Sequence, residues 1–230
     1  MPKKHDNDAL GLALLDFMDG NESEDILIQS QIDGRDRWPV ALFFRDLERM
    51  PEIEKQALTY CQQRVLEIGA GAGSHALVLR DLGHEVSCLD SSKGACEVMK
   101  KRGLKSVLWQ NAFDAIEGEY DTILLLMNGI GLAADLEGYS RLVNHLSKSL
   151  SPGGQIIFDS ANILEVMPQE AGYPGMVEYR FSYKDQVSIP FFWLYLDEKE
   201  AEVRANAEGF SFEIVFRDYE YSYLAVLTKE

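Results

Sequence analysis

The chain has 230 residues, with 38 Asp and Glu against 22 Lys and Arg for a formal net charge of −16, and 46% of it is hydrophobic. That length suits one α/β domain and is short for two, and the apolar content excludes wholesale disorder. An acidic surface repels polyanions, and no run approaches the ~18 uninterrupted apolar residues of a membrane span, so neither a nucleic-acid nor a membrane partner is expected.

Residues 1–8 carry two lysines without the apolar stretch of a signal peptide, and a cytoplasmic location is the expectation. Apolar positions at helical spacing run over 10–17 and close at Gly20-Asn21. The acidic stretch 22–25 reads as a connector, 38–44 as a second apolar segment, and Pro51 as the break before a helix over 52–61. A helical cap over 1–63 is therefore expected before the first strand.

From Arg64 onward strands and helices alternate as in parallel βαβ units, with strands expected over 65–68, 85–89, 106–109, 122–127 and 155–159 and helices over 74–82, 94–102 and 136–150. The first strand runs straight into Gly69-Ala70-Gly71-Ala72-Gly73-Ser74. Alternating glycines let a ligand approach the main chain, and the following helix offers unpaired N–H groups. Asp90 closes the second strand, where a carboxylate can accept from both hydroxyls of a ribose. Strand, glycine turn, helix, strand and acid form one mononucleotide-binding half. A dinucleotide turn reads G-x-G-x-x-G/A. Here Ser74 stands at the third position and Glu67 lies two residues before the first glycine, which suits a ligand bearing an ammonium better than a pyrophosphate.

The run Ile123-Leu124-Leu125-Leu126-Met127 lacks polar alternation, as a strand covered on both faces requires. Lys100-Lys101-Arg102 reads as cations at a helix C-terminus. Cys61, Cys88 and Cys96 form no C-x-x-C pair, and His5, His75, His84 and His145 have no ligand spacing, so no metal site is expected. Residues 161–207 exceed a plain crossover: 176–183 alternates, 184–186 can turn, 190–195 is densely aromatic, and Asp197 can cap a helix that Gly209 ends. This insertion is either a hairpin covering the sheet edge or a lid lining a pocket at the carboxyl end of the fifth strand. Residues 212–216 and 221–228 form a hairpin, hence an antiparallel pair.

The turn Glu67-x-Gly69-x-Gly71-x-Gly73, Asp90, the ordered segments through Asp159 and the antiparallel ending resemble class I S-adenosylmethionine-dependent methyltransferases, and the pattern is similar to uncharacterised bacterial members of small-molecule type. The resemblance implies an α/β, Rossmann-like seven-stranded sheet, mostly parallel with an antiparallel C-terminal hairpin, and helices on both faces. It also implies one methyltransferase domain over 1–230, divided into the cap at 1–63, a cofactor-binding core at 64–160, the insertion or lid at 161–207 and the hairpin at 208–230. S-adenosyl-L-methionine is the implied cofactor and a small molecule the implied acceptor, with transfer by in-line displacement. The alternatives are a protein that binds this cofactor without transfer and a nicotinamide-dependent oxidoreductase. Acceptor identity and oligomeric state stay open.

By the same resemblance, Glu67 with the backbone of Gly69, Ala70 and Gly71 would hold the methionine part and Asp90 the ribose diol, with Ser91 beside the nucleoside. Glu67 otherwise stabilises the glycine loop. Asn111 stands where the family often has an acid and would accept from the adenine amino group, with Ala112 and Phe113 at the ring and Met127 ending the fourth strand beside the cofactor. Arg45 would reach the cofactor carboxylate bidentately or pair with a neighbouring acid. His75 would approach the cofactor or simply pack. Asn128 is the candidate for orienting the acceptor, or caps its own turn. Asp159 would accept a proton or hold a substrate cation, or serve as a capping or solvated acid. Methyl transfer from a sulfonium asks mainly for positioning and exclusion of water, so binding residues are more legible than catalytic ones.

Overall fold

The computed structural model describes residues 7–21, 23–32, 34–164, 172–218 and 221–229. His5, Glu22 of the acidic connector and residues 165–171 of the insertion lie outside them. Helix α1 (Ala9–Met18) begins at Asp8, whose side chain accepts from the Gly11 N–H at 2.9 Å. An antiparallel hairpin follows, β1 (Ile26–Ser30) and β2 (Gly34–Trp38), then two short 3-10 turns and α2 (Glu52–Tyr60). The expectation of a helical cap across 1–63 is thus corrected. Buried Ile26 and Ile28 flank the less buried Leu27, a period of two, but both runs are too short to stand alone.

Strands β3 (Arg64–Ile68), β4 (Glu85–Asp90), β5 (Ser106–Trp109), β6 (Tyr120–Leu125) and β7 (Leu150–Ala161) alternate with α3 (Ser74–Asp81), α4 (Lys93–Lys101) and α5 (Leu136–Leu146). The chain then runs through β8 (Met176–Tyr183), β9 (Gln186–Val187), β10 (Phe191–Leu194), α6 (Glu198–Ala207), β11 (Phe210–Arg217) and β12 (Ser222–Lys229). The central sheet has the order β11-β12-β7-β6-β3-β4-β5. From β7 to β5 the neighbours are parallel, and β12 is antiparallel to both β7 and β11. This is the mostly parallel seven-stranded sheet with an antiparallel ending that the motifs imply. Strand β7 extends beyond the expected 155–159 because it pairs back to Tyr120 through Leu150, and α5 stops at Leu146 rather than 150.

Helices cover both faces, which explains the unbroken apolar run in β6. Ile123 and Leu125 enter a core with Tyr139 and Leu142 of α5 and Ala201 of α6. Leu124, and Leu126 two residues on, enter another with Ile53 and Ala57 of α2 and Leu79 of α3. The remaining strands form a second, antiparallel sheet of order β10-β8-β1-β2, with β9 on β8. Strands of the insertion thereby join the N-terminal hairpin. Helix α1 fills the space between this sheet and α4, packing Ala13 and Leu14 against Ala95, Val98 and Val177. The two helices cross so closely that a Cβ on Gly94 would run into the backbone of Gly11. No helix among the described residues is long and apolar enough to cross a membrane.

Candidate functional site

A cavity of about 790 Å³ opens between the carboxyl ends of β3, β4 and β6 and one face of the second sheet, a volume within the range of small-molecule sites. Its floor is the glycine turn. Gly69 and Gly71 hold φ of +69° and +55°, which side chains rarely adopt. The turn is pinned by the Gly69 N–H donating to the Leu89 carbonyl at 2.8 Å and the Gly71 N–H donating to Asp90 Oδ2 at 2.8 Å. The other Asp90 oxygen accepts from the Ser92 N–H at 2.8 Å. Burial outweighs these two donors and lifts the Asp90 carboxyl to about 6. Each carboxylate oxygen retains acceptor capacity for a ligand hydroxyl.

Behind the turn lies a buried chain of four charged side chains. Glu67, on the inner end of β3, meets His75 Nδ1 through Oε1 at 2.9 Å. His75 Nε2 meets Glu54 Oε2 of α2 at 2.9 Å, and Arg45 Nη2 donates to Glu54 Oε1 at 2.6 Å. Burial alone would depress the imidazole, yet the two carboxylates prevail and raise it to about 9. His75 is therefore protonated at neutral pH and donates from both nitrogens, and the four charges cancel. Glu67 Oε2 is the buried side-chain polar atom left without a partner among the described residues. Arg45, expected to reach a ligand carboxylate or a neighbouring acid, lines the cavity and pairs with Glu54. Glu54 escapes a sequence reading because it belongs to the amphipathic helix pattern of α2, while His75, named as a residue beside the cofactor or a packing one, has partners from two other elements that no local pattern indicates.

Ser91, Asn111, Ala112 and Phe113 line the far end of the cavity. The Asn111 side-chain oxygen accepts from the Phe113 N–H at 2.9 Å, closing a local turn. The Ser91 carbonyl accepts from Trp109 Nε1 at 3.0 Å. Asp8, not singled out from sequence, ties the N-terminus to this end by accepting from Ser92 Oγ at 3.0 Å and the Gly94 N–H at 3.1 Å.

Met127 and Asn128, at the end of β6, hold consecutive φ values of +60° and +54°, conformations that neighbours must enforce. The Asn128 N–H donates to both oxygens of Asp159, at 2.9 and 3.0 Å. Its side-chain amide donates to the Leu194 carbonyl at 3.3 Å and accepts from Ser160 Oγ at 3.0 Å. Its carbonyl accepts from Trp193 Nε1 at 3.0 Å. Asn128 thus bonds within the protein at every polar group, and Asp159 sits beneath the turn, where burial raises its carboxyl to about 7 against the Asn128 donor. Asn128 lines the cavity, and the bonds made by both side chains are those of the turn-holding alternative given for each of them. The insertion, for its part, lines the cavity through Tyr179, Phe181, Phe191 and Trp193. No cluster of His, Cys, Asp and Glu suited to a metal occurs among the described residues.

No protein-family model matches the chain, and neither does any curated protein sequence. Solved structures do. An S-adenosylmethionine-dependent methyltransferase from Bacteroides fragilis, crystallised with S-adenosyl-L-homocysteine, is 35% identical over 100% of this chain and 97% of its own, with a TM-score of 0.91. The CcbJ methyltransferase from Streptomyces caelestis is 18% identical over 79% of this chain and 91% of its own, with a TM-score of 0.61. The sugar N-methyltransferase KedS8 from Streptoalloteichus is 13% identical over 82% and 88%, with a TM-score of 0.58. These last two share the fold.

Proposed function

Since this chain belongs to the S-adenosylmethionine-dependent methyltransferases, we propose that it seats S-adenosyl-L-methionine on the glycine turn and methylates a small molecule held under the second sheet. The observation that carries the seating is Glu67 Oε2. A buried carboxylate oxygen without a donor costs ~1–3 kcal/mol or more, and the cofactor's ammonium would supply that donor. The residues present fit the group's other polar parts as well. Backbone at Gly69, Ala70 and Gly71 would approach the methionine part, with the remaining Arg45 N–H groups available to its carboxylate. Asp90 would accept from the ribose hydroxyls, with Ser91, Asn111, Ala112 and Phe113 flanking the base and Met127 the sulfur end.

When bound, the cofactor supplies an electrophilic methyl group on a cationic sulfur. The chain's own part is to orient and to keep dry. The second sheet covers the cavity and excludes competing water. Bonds from Asp159, Ser160, Leu194 and Trp193 to Asn128 hold the turn that faces the acceptor, limiting its orientations. We therefore assign Asn128 and Asp159 as positioning residues that act through this turn.

Calorimetric titration tests the reading. S-adenosyl-L-methionine and S-adenosyl-L-homocysteine should both bind, Asp90→Ala should weaken both about tenfold or more, and NADH should not bind. Binding of NADH in place of both adenosyl ligands would overturn it.

A further inference from the structure

We infer that the acceptor half of the cavity is built for a flat, uncharged aromatic molecule, an inference that rests on the methyltransferase reading above and names its substrate class. The roof presents Trp38 from β2, Tyr179 and Phe181 from β8, Phe191 and Trp193 from β10, and Tyr195 just beyond. Alternate residues of a strand share one face, and Phe191 stands directly opposite Tyr179 in the register, so one face of this sheet is aromatic. The rings brace one another. Phe181 and Phe191 lie 5.1 Å apart at 89°, Phe191 and Trp193 6.1 Å apart at 73°, and Trp38 lies 6.3 Å from Phe181. Edge-to-face packing of this kind holds the ring planes and leaves a preformed apolar wall.

The polar groups of that wall are engaged with one another. The Tyr179 and Tyr195 hydroxyls bond at 2.8 Å, Ser188 Oγ accepts from the Phe181 N–H at 2.9 Å, and Trp193 Nε1 donates to Asn128. A sugar or other polyol would bury hydroxyls against rings, at ~1–3 kcal/mol for each one left unbonded. Charges lining the cavity are spoken for too, and they sit on the cofactor side. Arg45 and His75 neutralise Glu54 and Glu67, Asp8 and Asp90 accept backbone and serine donors, and Lys93 lies over the Trp109 ring at 5.2 Å. Among the described residues, then, the wall offers no carboxylate to an ammonium acceptor and no cation to an anionic one. A neutral planar ring gains burial and ring contacts there without leaving a polar group unbonded.

The test uses the intact protein loaded with S-adenosyl-L-homocysteine, after calorimetry has established that this ligand binds. 2-Naphthol, tetramethylammonium and glucosamine are then titrated, read by calorimetry and tryptophan fluorescence. 2-Naphthol should bind at least about tenfold more tightly than either of the others, and Phe181→Leu or Phe191→Leu should each weaken it about tenfold. Neither variant should change the affinity for S-adenosyl-L-homocysteine, which separates loss of the wall from loss of the fold. Tetramethylammonium or glucosamine binding as tightly as 2-naphthol, or no 2-naphthol binding to the loaded protein, overturns the inference and leaves the methyltransferase reading standing. Failure of S-adenosyl-L-homocysteine itself to bind overturns both.

Discussion

His75 sits between two carboxylates with both ring nitrogens bonded, and its charge is what lets Glu54 and Glu67 share a dry space. Its folded value of about 9 exceeds the ordinary 6.5, so the folded state holds the proton more tightly than the unfolded chain does. That stabilisation is complete below about pH 6.5 and is lost as pH rises through 9. Removing the imidazole leaves Glu54 paired with Arg45 but Glu67 as an uncompensated buried acid, so His75→Gln should cost about 3 kcal/mol at pH 6. Urea unfolding of both proteins at pH 6 and pH 9.5 should show that gap narrowing, and a gap independent of pH would mean that His75 is neutral. Because the same bond fixes the Glu67 carboxylate, whose other oxygen lacks a donor, His75→Gln should also raise KM for the cofactor more than it lowers kcat. Burial, with a smaller push from the nearby Glu67 and Asp90 carboxylates, takes the Cys61 thiol to about 12 and Cys96 to about 11 and raises Cys88 as well. A thiol reagent such as DTNB should react far more slowly with the native protein than with the denatured one.

At the scale of elements, β10 of the second sheet crosses the turn after β6 of the first. Trp193 of β10 lies against Gly131 in the turn after β6, so a Cβ at Gly131 would enter the space of the indole. Gly131→Ala should destabilise the protein by ~1–3 kcal/mol, as overpacked sites do, and shift the Trp193 fluorescence as the ring leaves the Asn128 carbonyl. Strand β8 pairs with β1, β9 and β10 together. Deleting 172–183 therefore removes the strand that joins β1, β9 and β10. Acceptor methylation should be lost with S-adenosyl-L-homocysteine binding kept; unchanged product formation would reduce the insertion to an edge cover. Strands 26–30 and 34–38 were hidden from a linear reading because their pairing is with β8 and with each other, and two short runs carry little periodicity of their own.

Over the whole molecule, a net charge of −16 sets up a field that opposes polyanions. The protein should pass through heparin without retention at about 0.15 M salt, and retention would reveal a basic patch assembled in three dimensions. The same scale accounts for the site. Its parts come from α1, the β2 hairpin, α2, the glycine turn, the ends of β4 and β6 and the insertion, and they meet because α/β sheets gather ligands at the carboxyl ends of their strands.

The local chemistry was legible in the chain itself. Strand, glycine spacing, Glu67 and Asp90 lie within one contiguous βαβ unit, where short-range geometry decides the conformation, and the hairpin at the C-terminus announces its own antiparallel sense. Only the tertiary structure decided the rest. It set Glu54 between Arg45 and His75, bonded Asn128 and Asp159 into a strained turn, and joined the N-terminal hairpin to the insertion as an aromatic roof. Each of those depends on contacts between residues far apart in sequence, and burial and cross-strand pairing, which no local pattern encodes, determine which groups meet.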